Sequence, residues 1–243
     1  MLKPQHHQSM CFVIRGLWLG AALLTAGHLL NWAIGGRLSV ETINLFLAKF
    51  HLDSENSVAA WFSSLLLTFV AAGWLVLAGV KYRNVGERMP WRLVLLAAVF
   101  VLLSCDETAS LHELLIAPVR NGLGVGGILH LAWIIPAMGF LMVLGLVVWP
   151  LYFQVSPTLR RGAIIAGMLF VGGVIGAEMV GGKMISEGDY GSFAYILTIT
   201  FEEGLEIVGL LFMLTTMCRD LDPARVTQEA SDAVTATPAV QTA

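Results

Sequence analysis

Residues 104–114 read SCDETASLHEL and stand near the end of a hydrophobic run that begins at Trp91. They put Asp106, Glu107, His112 and Glu113 into a segment otherwise apolar enough to cross a bilayer, where each ionised side chain costs about 2.5–3.5 kcal/mol at mid-depth. Such a cost requires a compensating partner. Two other hydrophobic runs repeat the anomaly: TFEEGLEIVGL carries Glu202, Glu203 and Glu206, and GGVIGAEMVGG carries a lone Glu178. The expectation is that these carboxylates meet in one intramembrane site.

Composition agrees with a membrane setting. Of 243 residues, 57% are hydrophobic and 13% charged, and the mean hydropathy is +0.77, whereas charged residues make up about 25% of a soluble domain. A bilayer core needs about 20 apolar residues per helix. Six runs meet that length: 12–34, 58–80, 91–116, 127–153, 162–181 and 193–217. The predicted fold is all-α, a bundle of six transmembrane helices formed by residues 1–218, followed by a disordered cytoplasmic tail over 219–243, which is polar, rich in Ala and Thr, and aperiodic. A formal net charge of −3 gives no reason to propose nucleic acid as a partner; the partner implied is the lipid bilayer. Cys11, Cys105 and Cys218 show no CxxC or CxxCH spacing, so neither a zinc knuckle nor covalent haem is indicated.

Orientation follows from the basic residues, because short loops rich in Lys and Arg stay cytoplasmic. Ten of the fourteen fall on the side of the termini (Lys3, Arg15, Lys81, Arg83, Arg88, Arg92, Arg160, Arg161, Arg219 and Arg225), against Arg37, Lys49, Arg120 and Lys183 opposite. Both termini are therefore expected in the cytoplasm and the helix count is even, as in a bacterial inner-membrane protein. The first run is long for a signal peptide and lacks a small-residue cleavage site, so it is kept as a helix.

Along the chain, His28 and Asn31 share one face at the outer end of the first run. Residues 39–52 space Val40, Ile43, Leu47 and Phe50 at helical intervals, predicting a short amphipathic helix on the outer surface between the first two crossings. The DSENS run after it supplies N-cap residues. The second run holds no ionisable residue and is read as purely packing, with Trp61 and Trp74. In the third, Asp106 lies about 22 Å from Trp91 along the axis; Asp106 and Glu113 are about 20° apart, with Ser110 on the same face and Glu107 and His112 flanking it. The fourth run has His130 near its outer end and Pro136 inside, where a kink is expected. In the fifth, Gly172 and Gly176, and separately Gly173, Ala177 and Gly181, make small-residue faces that suit close helix approach, including contact between copies of the chain. In the sixth, Glu202, Glu203 and Glu206 occupy an arc of about 100°.

Three acids on one intramembrane face cannot all ionise unpaired, and no Lys or Arg lies within the spans to neutralise them. Protons or a metal must do so. Acids with histidines suit Fe, Mn or Zn. The candidate metal ligands are Asp106, Glu113, Glu202, Glu206, Glu203, Glu178, His112 and His130, with Glu107, Ser110, His28 and Asn31 supporting them. The Glu-x-x-His pairs of carboxylate-bridged two-metal bundles are missing, and haem b held by two histidines leaves the acids of the sixth run unexplained.

The Asp-Glu…Leu-His-Glu run at 106–113 and the Glu-Glu-x-x-Glu run at 202–206 resemble those of uncharacterised bacterial multi-pass inner-membrane proteins. The resemblance covers those two helices and the six-helix layout, and implies no particular activity. Three functions are thus expected from the residues: first, a metal-dependent oxidase or hydrolase acting on a lipid-soluble or periplasmic substrate; second, a proton- or ion-coupled transporter or channel; third, a membrane scaffold or assembly factor. Whether the protein is an enzyme stays open at this point.

Overall fold

The computed structural model describes residues 4–222 apart from 36, 38, 55 and 86–89, so the tail expected beyond residue 222 lies outside the described residues. Among the described residues all regular structure is helical. The main helices are α1 (Pro4–Ile34), α2 (Glu41–Ala48), α3 (Val58–Val85), α4 (Trp91–Ala109), α5 (Ile116–Leu123), α6 (Ile134–Val148), α7 (Leu151–Gln154), α8 (Pro157–Val171), α9 (Glu178–Glu187) and α10 (Phe193–Asp220). A π-helical turn, Gly172–Ala177, joins α8 to α9.

Three stretches are long and apolar enough to cross a membrane, Gln8–Ile34, Val58–Val80 and Pro157–Glu187; a fourth arises if Trp91–Ala109 and His112–Leu123, bent by 80°, count as one. The expected six are therefore three or four by length and composition. The other two expected spans differ for separate reasons. α10 has 28 residues but carries the three glutamates, and α6 has only 15.

Two sequence expectations change here. The helix expected over 91–116 stops at Ala109, because Ser110 takes a left-handed conformation (φ 52°) and a 3-10 turn, His112–Leu115, follows. Asp106 and Glu113 therefore do not share a helical face, and Ser110 caps the helix instead of presenting a hydroxyl between them. The fourth run does not form one kinked helix. It starts as a 3-10 turn at Gly127–Leu129, and α6 begins only at Ile134, which puts Pro136 in the first turn, where a missing N–H breaks no helical hydrogen bond.

The ends of the last helices are set locally. Ser156 accepts the Leu159 N–H at 3.0 Å with Pro157 at the first helical position, and Ser192 accepts the Tyr195 N–H at 3.1 Å. Gly188, at φ 86°, ends α9 in a conformation that few other residues adopt without strain.

α10 is the central helix. It packs along α8 and the π turn, and also against α1 and α3. Its C-terminal half buries Ile207, Leu210, Leu211, Met213 and Met217 against Leu66, Val70 and Trp74 of α3 and Leu93 of α4. Small residues line its contact with the α8–α9 helix. Gly162, Ala166, Gly173, Ala177 and Gly181 are all buried, at spacings that keep them on one side of the α8–α9 helix. A Cβ added to Gly173 would lie 2.7 Å from both the Glu202 carbonyl and Glu206 Cγ, and one on Gly209 would lie 2.8 Å from the Phe170 nitrogen. The Gly173, Ala177 and Gly181 face, which suits close helix approach, packs within the chain, while Gly176 stays exposed.

α2 forms where the amphipathic pattern placed it. Leu47 is buried, and Ile43 and Phe46 remain exposed. α3 splits its tryptophans: Trp74 is in the core, and Trp61 is largely exposed. α3 is tied to α4 by Ser64, Thr68 and Ser104, whose hydroxyls lie within 2.8–3.0 Å of one another through Ser104.

Candidate functional site

The bend after α4 builds the first part of the site. Asp106 Oδ1 accepts the backbone N–H of His112 at 2.8 Å, and Oδ2 lies 2.9 Å from His112 Nδ1. One carboxylate therefore closes the turn and fixes the imidazole, leaving Nε2 as the free ring nitrogen. The His112 ring packs on Trp133, centroids 4.8 Å apart, and Trp133 Nε1 donates to Glu178 Oε1 at 2.7 Å. Three helical segments distant in sequence are joined by this chain of contacts.

Close approach of α10 to α8 and α9 builds the second part. Glu202 lies within electrostatic reach of Glu178 and Asp53. Glu203 feels Glu107, Glu202, Asp53 and Glu178, and Glu206 feels Glu203, Glu107, Glu202 and Glu178. Glu113, itself exposed, reaches both His112 and Glu178. Among the described residues no Lys or Arg forms an ion pair with Glu178, Glu202, Glu203 or Glu206; His112 pairs with Asp106 and Lys183 with Glu187. Coulomb repulsion among carboxylates grows as the local dielectric falls, so this assembly requires positive charge or protons from outside the side chains that form it.

Not every expected residue joins. His130 Nε2 lies 3.0 Å from Arg120 Nη1. Because a guanidinium only donates, that nitrogen accepts and His130 carries its proton on Nδ1. His28 is fully buried, its Nδ1 accepts the Leu52 N–H at 3.2 Å and its ring meets His51 edge-on at 5.0 Å. It anchors the segment after α2 and does not face the acids. Asn31 lies at the end of α1, where its carbonyl accepts the Gly35 N–H at 2.6 Å.

Two participants were not anticipated. Trp133 orients Glu178. Asp53, in the DSENS run, comes within 3.3 Å of the Tyr195 hydroxyl and carries a further carboxylate to the acids of α10. Leu52, Ala59, Tyr195 and Ile199 pack together beside it, so the segment following α2 covers the N-terminal end of α10. Only the neighbouring acids of α10 have a local signature, since i, i+1 and i+4 spacing is readable in one helix; Asp53 and Trp133 arrive through tertiary packing.

A family model described as a domain of unknown function, DUF8692, matches residues 16–219. The chain belongs to that family. No curated protein and no solved structure matches it. The DUF8692 match spans every residue of the site, from Asp53 to Glu206, together with the helices that position them.

The donor geometry of this DUF8692 chain does not suit a metal. Among the described residues no group of three or more His, Cys, Asp or Glu side chains is placed to hold an ion. One ring nitrogen of each candidate histidine is engaged: His112 Nδ1 by Asp106, His130 Nε2 by Arg120 and His28 Nδ1 by the Leu52 N–H. The arrangement does hold several carboxyl groups within electrostatic reach of one another, beside an imidazole held by Asp106 through Nδ1.

Proposed function

We propose that this chain is an integral membrane protein of the bacterial inner membrane, with six crossing segments and both termini in the cytoplasm, whose outer-half carboxylate cluster takes up and releases protons as part of proton- or ion-coupled transport. The six segments are α1, α3, α4 with α5, α6, α8 with α9, and α10. The observation that carries the reading is the convergence of Asp53, Glu107, Glu178, Glu202, Glu203 and Glu206, from four separate parts of the chain, without an ion-paired Lys or Arg on Glu178, Glu202, Glu203 or Glu206 among the described residues. Intramembrane acids of this kind mark proton and ion pathways. His112, held through Nδ1, offers Nε2 to relay a proton between Glu113 and Glu178. The metal-dependent oxidase or hydrolase is the weaker reading, because the donors do not fit a three-ligand site, and no step is routed through a metal.

The test is flux in proteoliposomes carrying an imposed proton gradient. Wild-type protein is expected to acidify the vesicle lumen, and Glu203→Gln to abolish that movement while the protein stays folded. Equal flux in Glu203→Gln overturns the reading. Stoichiometric metal in protein purified without chelator, lost on replacing Glu202 and Glu206 with Ala, restores the metal-dependent alternative. With both termini in the cytoplasm the cluster opens to the outer side, which is tested by single cysteines at Thr108, Ser110 and Thr200 in a background without Cys11, Cys105 and Cys218. An impermeant thiol reagent should label them in intact spheroplasts; labelling only in inverted vesicles reverses the orientation.

A further inference from the structure

A cavity of about 520 Å³ lies between α4, α6, α8 and α10, on the cytoplasmic side of the acids. It exists because α6 is the loosely packed helix: no other element runs closely along it, in contrast to the α8–α10 seam. The walls are almost wholly apolar, and Trp133 closes one end, directly beneath its hydrogen bond to Glu178. Phe140 on α6 and Ile164 on α8 line the space yet stay exposed, so it opens sideways between those helices. Along α6 the space extends about 22 Å, the length of a 15-residue helix at about 1.5 Å per residue.

The opposite end is different in kind. Arg160, in the first turn of α8, lines the mouth, its guanidinium 4.6 Å over the Tyr152 ring and its Nη1 3.4 Å from the Tyr152 carbonyl. Among the described residues it has no acidic partner. Arg161 beside it is exposed. A long apolar slot, open to the side, with an unpaired cation at its cytoplasmic mouth is complementary to one class of molecule. We propose that it holds one hydrocarbon chain of an anionic phospholipid from the inner leaflet, the headgroup at Arg160, the chain directed toward Trp133, and the second chain outside through the gap between α6 and α8. Basic pockets between helices on the cytoplasmic side bind such headgroups, and the volume is that of a ligand site. The inference rests on the membrane orientation proposed above and is independent of the proton chemistry.

The experiment uses the full chain in phosphatidylcholine vesicles containing a few mole per cent phosphatidylglycerol with a diazirine at the end of one chain. Photolysis and peptide mapping are expected to place adducts on Ala137 and Val174, which line the cavity toward Trp133, in excess over the outward-facing Met142. Arg160→Gln should lower the cavity adducts by about fivefold, the factor one basic residue near the headgroups supplies. Gly145→Leu with Gly167→Leu should remove them by filling the slot, since both glycines line it and a Cβ on either meets open space. Gly139→Leu, equally unobstructed but outside the slot, should leave them unchanged and controls for folding. Adducts on Met142 alone, or cavity adducts indifferent to Arg160→Gln, overturn the proposal. Equal cavity labelling by diazirine phosphatidylcholine overturns the anionic headgroup, and labelling by a diazirine fatty acid alone overturns the phospholipid. Absence of adducts everywhere, Met142 included, instead sinks the membrane reading on which both proposals stand.

Discussion

The two sides of the α8–α9 helix are packed on opposite terms. Toward α10 the backbones approach so closely that Gly173 and Gly209 leave no room for a Cβ; toward α6 there is an open slot of about 520 Å³. The carboxylates lie on the tight side and the apolar slot on the loose one. Charges in low dielectric must be held at fixed separations, because their interaction energies vary steeply with distance, and small residues bring the α10 backbone in to hold them. A hydrocarbon chain makes no such demand. Rigidity follows the acids, and slack follows the apolar space.

Breaking the tight side should produce the largest effect. Gly173→Leu forces a side chain into the Glu202 carbonyl and Glu206 Cγ, and is expected to cost about 3 kcal/mol or more, read as loss of folded protein in a thermal or denaturant titration in detergent. Gly176→Leu meets open space and should stay within about 0.5 kcal/mol of wild type. Equal stability of the two variants would remove the glycine seam from the account.

A smaller break separates the boundary from the seam. Trp133→Phe keeps a ring against His112 but takes away the donor to Glu178, at an expected cost of about 1–3 kcal/mol. In a Glu178→Leu background the same substitution should cost clearly less. Additivity across that double-mutant cycle contradicts the hydrogen bond.

Asp106→Asn sharpens the comparison by touching chemistry more than stability. The backbone N–H of His112 keeps an acceptor, at a cost of about 1 kcal/mol. The side-chain amide turns toward Nδ1 as a donor, moving the ring proton to Nε2. Nitrogen-15 shifts of His112 are expected to report the opposite tautomer; an unchanged tautomer removes Asp106 from control of the ring. The smallest loss among the contact-breaking variants belongs to Ser104→Ala, which opens the hydroxyl knot between α3 and α4. About 0.6 kcal/mol is expected, the usual size of such a contact between membrane helices, and a loss several times larger in the same unfolding titration would show that the knot holds more than that pair of helices.

What sequence reading reached follows from the range of the interactions involved. The acids of α10 lie within one helical turn or so, where spacing dictates direction, and their shared arc held. The small-residue face of α8–α9 was also legible, though its partner proved to be α10. The end of α4 was not. Residues 104–114 contain neither Gly nor Pro, and what stops the helix is the Asp106 carboxylate capturing an N–H six residues later, a side-chain competition that periodicity does not register. His130 meets Arg120 instead of the acids, a pairing that its place along the fourth run does not announce. Asp53 belongs to a turn whose local role, capping α3, was sufficient to explain it.

The π turn between α8 and α9 sets a phase. Below it, one side of the helix lays Gly162 and Ala166 on α10; above it, Glu178 turns to Trp133. A helix wound uniformly advances about 100° per residue, so excising a single residue from Gly172–Ala177 to restore regular winding swings everything beyond it by about that angle. The lower contacts survive such a deletion and the upper ones do not. Six residues of loosened coil thus act as a coupling sleeve between two segments that are cut to different angular settings, and the setting is adjustable by length alone, with no change of side chain.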